Sequence, residues 1–116
     1  MEKIMLCIEN TVVYHSIYET EISPGNTSTG RLEVEYFGGC MEQIRNLIKE
    51  GNQVYPVVTL KEDLLGRIER EILQQEGCRM DYVRMEEGKT PFIFRLTHRW
   101  GNKESWYKFQ PEKGDR

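Results

Sequence analysis

No stretch of this sequence is long and apolar enough to cross a bilayer, which takes roughly 18 consecutive apolar residues. The chain is 38% hydrophobic and 30% charged, a composition typical of globular proteins in water. The apolar run near the N-terminus is too short for a signal peptide, and Glu9 interrupts it. We therefore expect a cytoplasmic protein without a membrane partner.

The sequence also lacks the short motifs of several enzyme classes. It contains no G-x-x-x-x-G-K-[ST] loop, no G-x-G-x-x-G segment and no H-E-x-x-H pair, and no Ser/His/Asp set stands out. The three cysteines (Cys7, Cys40 and Cys78) fit no C-x-x-C spacing, and two histidines add few ligands for zinc. We interpret the cysteines as reduced thiols, with Cys7 in the core, and assign His15 and His98 no metal or acid–base role.

The apolar periodicity predicts alternating strands and helices in one domain with a modest core. Strands are predicted at residues 5–8, 12–22, 31–37, 53–58, 78–85, 91–98 and 104–109. One helix is predicted at residues 40–50, with Gly51 as its C-cap. A second helix begins at the capping box Thr59-Leu60-Lys61-Glu62 and ends at Gly77.

Three local features refine these predictions. The strand at residues 5–8 is a continuous apolar run, as expected of a strand buried on both faces of a parallel sheet. In the strand at residues 53–58, Pro56 indicates an edge, a bulge or a strand end. The second helix has a polar face that we interpret as solvated surface. This face carries Arg67, Glu69, Arg70, Glu71, Gln74 and Gln75.

The order of elements is strand, hairpin, helix, strand, helix, strand, hairpin. Two right-handed crossovers give a short parallel βαβαβ core, and the hairpins form a separate antiparallel flap because they would break the order of that core. We predict an α/β domain over residues 1–109, with its core at about 3–9 and 38–85 and lid hairpins at about 12–37 and 90–109. Residues 110–116 form a polar tail.

The Gly38-Gly39 pair stands between a predicted strand and a predicted helix. Glycine lets the backbone turn sharply and approach another group closely. That group is either a ligand or a neighbouring strand, and the two residues alone favour packing. The surrounding order of elements changes this interpretation.

This order resembles the N-terminal portion of ribokinase-like (PfkB-type) sugar kinases. The resemblance covers nearly the whole chain to Phe109 and depends on order and spacing rather than on one specific motif. The matching residues are Gly38-Gly39 with the helix to Gly51, Val54-Tyr55-Pro56-Val57-Val58, Asp63-Leu64-Leu65-Gly66, Gln75-Glu76-Gly77-Cys78-Arg79-Met80-Asp81 and Thr90.

The resemblance implies a partial ribokinase-like fold in which the hairpins form a lid over a sugar or nucleoside. It implies that Gly38 and Gly39 form the floor of the sugar pocket, where backbone amides approach hydroxyl groups. Polar residues at the carboxyl end of the first strand would join this pocket, since open α/β sheets bind ligands there. These are Asn10, with Glu9 beside it, and on the helix Gln43.

The sequence departs from the family pattern in several places. An aspartate that grips sugar hydroxyls usually follows the first strand, but here residues 11–14 read Thr-Val-Val-Tyr. Gln43 replaces the usual asparagine, and Met41-Glu42 replaces small residues. The family's nucleotide site and Gly-Ala-Gly-Asp motif belong to its C-terminal half. ATP and Mg²⁺ are implied for a complete member, whereas we expect no cofactor in this chain.

These observations lead to two main hypotheses. The first is an acceptor-binding and lid fragment of a sugar-kinase-like protein, unable to phosphorylate on its own because phosphoryl transfer needs a phosphate cradle and a base. The alternative is a non-catalytic oligomerisation or interaction module on the same scaffold. In either case we expect a partner, namely a homodimer through the lid strands or a complementary C-terminal half.

Nucleic-acid binding is a third and weaker hypothesis. The second hairpin interleaves basic and aromatic residues, the ingredients of a surface that stacks single strands. The net charge of −3 and Glu104 within the patch argue against it. The patch consists of Arg95, His98, Arg99, Trp100, Lys103, Trp106 and Lys108.

Overall fold

The computed structural model describes residues 2–18, 30–100 and 103–110. Their elements are β1 (Lys3–Cys7), β2 (Val12–Tyr18), β3 (Arg31–Glu35), α1 (Met41–Lys49), β4 (Gln53–Lys61), α2 (Leu64–Gln75), β5 (Val83–Glu86), β6 (Phe92–Trp100) and β7 (Lys103–Phe109). Within these ranges no helix is long and apolar enough to span a membrane. The chain divides into a first unit, Met1–Val12 with Tyr36–Pro91, and a second unit, Val13–Glu35 with Phe92–Arg116.

The first unit contains a three-stranded parallel sheet in the order β1-β4-β5. Lys3 pairs with Gln53 in the β1–β4 ladder, and Val58 pairs with Val83 in the β4–β5 ladder. Because α1 precedes β4 and α2 connects β4 to β5, the unit is a short βαβαβ core. This part of the predicted fold is confirmed.

One face of this sheet is packed and the other is open. On β4 the even-numbered residues Val54, Val58 and Leu60 are buried in one cluster with Ile44 of α1 and Leu73 of α2. The helices therefore cover a single face. The odd-numbered residues of β4 point to the opposite face, because successive side chains along a strand alternate between the two faces of the sheet.

The prediction that the first strand is buried on both faces is wrong. Met5 is 62% exposed and Cys7 is exposed, whereas Leu6 packs against the core cluster. The placement of Cys7 in the core is corrected for the same reason. A continuous apolar run cannot tell the two faces of a strand apart, and here helices cover only one of them.

Pro56 lies inside β4, the central strand of the sheet, and not at an edge, a bulge or a strand end. The hydrogen bonds explain why the ladder tolerates it. The backbone N–H and C=O groups of odd-numbered residues in β4 point toward β1, since Val57 O accepts from Ile8 N at 3.2 Å. Those of even-numbered residues point toward β5, where pairing begins only at Val58. The missing amide hydrogen of Pro56 therefore interrupts no bond of the β4–β5 ladder.

The ends of the two helices confirm some predictions and correct another. Gly51 and Gly77 follow their helices with φ of 90° and 88°, as C-terminal glycines in the left-handed region do. The predicted capping box is wrong, because Thr59 still belongs to β4. The N-cap of α2 is Asp63, whose side chain accepts from Gly66 N.

The second unit is a four-stranded sheet in the order β3-β2-β6-β7, in which β2 pairs with β3 and β6 with β7 in antiparallel sense. The two predicted hairpins thus form one sheet that is separate from the parallel core, as expected. Nε2 of His15 on β2 lies 2.7 Å from Oγ1 of Thr97 on β6, so this histidine has a hydrogen-bond partner within the sheet. The predictions for residues 19–29, 101–102 and 111–116 lie outside the described residues.

Candidate functional site

Both helices of the first unit begin at the carboxyl edge of the parallel sheet. α2 starts directly after β4, with Asp63 as its cap. α1 follows a short turn at Phe37–Gly39, and the amide of Gly38 donates to Thr11 O, just beyond β1, at 2.8 Å. Open α/β sheets bind ligands at this edge, so its residues form the candidate site.

The Phe37–Gly39 turn is left-handed. Its three residues have positive φ angles of 59°, 63° and 93°. Gly39 N donates to Tyr36 O at 3.0 Å and Cys40 N to Phe37 O at 3.3 Å. Two glycines adopt this conformation without a steric penalty, but a side chain at Phe37 makes it cost roughly 1–2 kcal/mol.

Gly38 has a second reason to be glycine. A Cβ atom at this position would lie 2.7 Å from Oε2 of Glu9, at the end of β1. The exposed carboxylate of Glu9 is therefore seated against the turn. The glycine pair packs against Glu9 and Thr11, just beyond β1, and both glycines are exposed at the sheet edge.

Asn10 lies beside this turn and connects two strands. Its Nδ2 donates to Thr59 O of β4 at 3.0 Å. The bond holds the chain after β1 close to the end of the central strand. Asn10 thus occupies the predicted position at the carboxyl end of β1, with one side-chain group already engaged.

The first turn of α1 lacks a side-chain cap. Its N-cap, Cys40, makes no side-chain hydrogen bond. The amides of both glycines already donate within the chain, Gly38 N to Thr11 O and Gly39 N to Tyr36 O. Gln43 is exposed on this first turn, whereas Met41 packs against the core.

Beneath the turn lies Glu69 of α2, which the sequence placed wrongly on a solvated surface. Its side chain is fully buried, and Oε2 accepts from Phe37 N at 3.2 Å. Burial raises the pKa of this carboxyl to about 7, with a further contribution from the charge of Asp63, although the Phe37 bond acts in the opposite direction. The burial of Glu69 could have been predicted from helical spacing, because Glu69 lies four residues from both Leu65 and Leu73 and so shares a helix face with them.

The start of α2 is held by a dense set of bonds. Asp63 Oδ1 accepts from Gly66 N at 2.8 Å and from Thr90 Oγ1 at 2.6 Å, and Oδ2 accepts from Thr90 N at 2.7 Å. Burial alone would raise the pKa of Asp63, but these bonds hold it below its ordinary value. The Asp-x-x-Gly segment and Thr90, which carried part of the resemblance, therefore form a structural clasp.

Among the side chains that the structure describes, no three His, Cys, Asp or Glu residues are grouped so that they could hold a metal ion.

Solved structures share this fold. A protein from Clostridium perfringens described as a sugar kinase matches at a TM-score of 0.69 and 18% identity, over 100% of this chain and 37% of that one. Arabidopsis thaliana ribokinase, solved with ribose and ATP, matches at a TM-score of 0.63 and 19% identity, over 90% of this chain and 35% of that one. A Methanocaldococcus jannaschii nucleoside kinase of the ribokinase family matches at a TM-score of 0.60 and 17% identity, over 94% of this chain and 37% of that one. No family model and no curated protein matches the sequence.

The fold is that of the N-terminal portion of ribokinase-like carbohydrate kinases, as the resemblance implied. The chain spans about 31–38% of the length of the structures that it matches. At these identities the likeness establishes the fold. A ligand has to be inferred from the residues at the carboxyl edge of the sheet.

Proposed function

We propose that this chain is a sugar-kinase-like acceptor-binding and lid fragment, which binds a sugar or nucleoside at the carboxyl edge of its parallel sheet. The main support is the edge itself, where a left-handed glycine turn, an uncapped helix start and the polar ends of β1 lie together. The shared fold adds to this, because two of the matched proteins are a ribokinase and a nucleoside kinase.

Each site residue then has a specific role. Gly38 and Gly39 are exposed and form the left-handed turn on which the ligand lies. Asn10 accepts a hydrogen bond from a ligand hydroxyl through Oδ1 and can donate the second N–H of Nδ2, since the first donates to Thr59 O. Gln43 reaches the ligand from the exposed side of α1, close to the uncapped amides that favour oxygen acceptors.

Binding can be tested by thermal unfolding with a panel of pentoses, hexoses and nucleosides. A ligand at 100 times its Kd raises the free energy of unfolding by about 2.7 kcal/mol. Gln43→Ala should reduce the ligand-induced rise in Tm, and Gln74→Ala, a matched change on the exposed side of α2, should leave it unchanged. No rise with any member of the panel at millimolar concentration would refute sugar binding.

We also propose that the chain alone does not transfer phosphate. The described residues supply an acceptor edge, whereas phosphoryl transfer needs an organised cradle for the phosphates and a base. Incubation of the purified chain with ATP, Mg²⁺ and each ligand that binds should yield no sugar phosphate. Robust phosphorylation would show this proposal to be wrong.

A second candidate function is a homodimerisation module, and the second unit supports it. One face of its sheet is apolar and exposed. Tyr14 contacts Phe92 edge-on with ring centroids 6.0 Å apart and pairs across strands with Val34, and Phe94 pairs with Phe109. Exposed fractions on this face are Leu32 59%, Val34 41%, Phe92 40%, Phe94 37% and Phe109 56%.

A contiguous apolar face of this kind fits a second copy of the same surface. Light scattering should then give the mass of a dimer for the wild type. Leu32→Ser should shift the equilibrium toward monomer, and Glu33→Ser, on the opposite face of the same strand, should not. A wild type that stays monomeric at high concentration would remove this candidate.

A complementary C-terminal half is the other proposed partner, and the open face of the parallel sheet is its docking surface. Parallel sheets are almost always covered on both faces, yet here Met5 is 62% and Tyr82 45% exposed. Cys7 on this face is exposed and offers a probe, while Cys78 is buried and burial raises the pKa of its thiol to about 11. A polypeptide with the remaining part of the fold should slow alkylation of Cys7, and an unchanged rate would exclude this face.

A further inference from the structure

A buried acidic side chain lies directly behind the candidate site. Glu69 is 0% exposed, and its Oε1 has no hydrogen-bond partner among the described residues. Its Oε2 accepts from Phe37 N at 3.2 Å. A buried carboxyl with one orphaned oxygen is costly, so its position calls for a reason other than the stability of α2.

The backbone that Glu69 contacts is itself under strain. Phe37 has a φ of 59° although it carries a large side chain, and this side chain is fully buried. A residue other than glycine keeps such a conformation only where its surroundings hold it there, and such residues cluster at functional sites. Two unfavourable features, the buried acid and the strained residue, thus meet in one hydrogen bond.

We propose that Glu69 is a positioning residue whose buried carboxyl group holds the Phe37–Gly39 turn in its left-handed conformation, so that the edge presents Gly38, Gly39 and the start of α1 to the ligand. The ligand part of this inference depends on the proposed function. The part that concerns the turn does not, and the two are tested separately.

Another carboxylate acts on this contact. Asp63, at the start of α2, repels the charged form of Glu69. Glu9 lies against the turn itself, with Oε2 2.7 Å from the place of a Cβ on Gly38. Because Glu69 is buried and its Oε2 accepts from Phe37 N, its protonation state should change the chemical shift of the Phe37 amide nitrogen.

Three variants separate positioning from mere packing. Glu69→Gln keeps a side-chain oxygen that can accept from Phe37 N but cannot ionise. Glu69→Leu fills the space without an acceptor. Glu71→Gln, an exposed acid on the same helix, is the matched control.

The turn is measured by the amide of Phe37. In the wild type its nitrogen chemical shift should titrate with a midpoint near pH 7, as it should in Glu71→Gln, and this titration should be absent in Glu69→Gln. Hydrogen exchange of the same amide should speed up at least tenfold in Glu69→Leu and stay within threefold of wild type in Glu69→Gln. A titration that persists in Glu69→Gln, or an unchanged exchange rate in a folded Glu69→Leu, would overturn the assignment.

Ligand binding is measured with D-ribose and adenosine at pH 6. Glu69→Gln should keep the affinity within threefold of wild type, and Glu69→Leu should weaken it at least tenfold. Equal affinities for the wild type and a folded Glu69→Leu would refute the ligand part. If Glu69→Leu does not fold, the titration in Glu69→Gln decides the role of Glu69; if the wild type binds neither probe, the proposed function fails while the amide readouts still test the turn.

Discussion

The two helices of the parallel unit begin at the same edge of the sheet, and their first turns are built differently. α2 starts at Asp63, whose carboxylate accepts three hydrogen bonds, from Gly66 and from both donors of Thr90. α1 starts after the left-handed Phe37–Gly39 turn, and its N-cap makes no side-chain bond.

This difference separates a structural junction from a candidate binding junction. Amides at a helix start carry partial positive charge and need acceptors. At α2 the chain supplies its own acceptor and also ties the start of the helix to Thr90, the residue that leads toward β6. At α1 the N-cap side chain makes no such bond, and we propose that a ligand hydroxyl supplies the acceptor there. Substitutions at α2 should therefore affect folding, and those at α1 should affect binding.

The largest effect is expected at Gly66. A Cβ there would lie 1.7 Å from the backbone oxygen of Lys61, which cannot move without disturbing the end of β4. Gly66→Ala should destabilise the chain by about 3 kcal/mol or more through this overlap, although glycine to alanine inside a helix normally stabilises by about 1 kcal/mol. Urea unfolding measures the change. A neutral or stabilising result would contradict this packing of α2 against β4.

The next effect is expected at Asp63. Asp63→Ala leaves the amides of Gly66 and Thr90 and the Thr90 hydroxyl without their acceptor, which should cost about 2–3 kcal/mol. Asp81→Ala, an exposed aspartate with only a 3.8 Å ion pair to Arg79, is the control and should change stability by less than about 0.5 kcal/mol. Comparable losses of stability in the two variants would show that the hydrogen bonds of Asp63 add little to the free energy of unfolding.

The same clasp predicts a dependence on acid. Because the pKa of Asp63 is lower in the folded chain than in the unfolded one, its contribution is complete above the unfolded pKa of about 3.9 and is lost as the pH falls through the folded value. Thermal unfolding between pH 5 and pH 2 should show a steeper loss for wild type than for Asp63→Ala. Parallel curves would mean that the pKa of Asp63 does not differ between the folded and the unfolded chain.

A smaller effect on stability, with a larger one on binding, is expected at Gly38. Gly38→Ala and Gly51→Ala place a side chain at φ angles of 63° and 90°, and each should cost about 1–2 kcal/mol. Only Gly38→Ala meets a neighbour, Glu9 Oε2, since nothing lies within 4 Å at Gly51. The sugar-induced rise in Tm should fall in Gly38→Ala alone, and equal falls in both would remove the special role of the turn.

The smallest effect on stability is expected at an exposed ion pair between the two helices. Arg45 of α1 and Glu76, at the end of α2, form an ion pair of 3.0 Å whose arginine side chain is 56% exposed. Arg45→Ala should cost less than about 0.5 kcal/mol, and added salt should screen that difference. A loss above 1 kcal/mol would show that the helices depend on this pair more than on their starts.

Much of the first unit followed from local patterns. Gly51 and Gly77 marked helix ends because a left-handed C-terminal residue favours glycine wherever a helix stops. The apolar spacing located both helices. These features depend on a few neighbouring residues, so the sequence contains the information that fixes them.

The errors share a different cause. Apolar Leu64 of α2 is 70% exposed, while Glu69, which was predicted on the solvated face of the same helix, is fully buried. The capping box at Thr59 satisfied a local rule, yet β4 extends through Lys61 because Lys61 pairs with Glu86 of β5. Pairing with a strand some 25 residues away outweighed the local signal, and no short window of sequence contains that partner.

The candidate site shows the same division. The sequence placed Gly38 and Gly39 between a strand and a helix, and Asn10 at the end of β1, because the order of elements and the topology of parallel sheets are encoded in local periodicity. Only the tertiary structure decided that Phe37 joins the glycines in a left-handed turn, that both glycine amides are engaged, and that Glu69 lies beneath them. Burial and long-range hydrogen bonds make these choices, and they exist only once β1, the turn and α2 have come together.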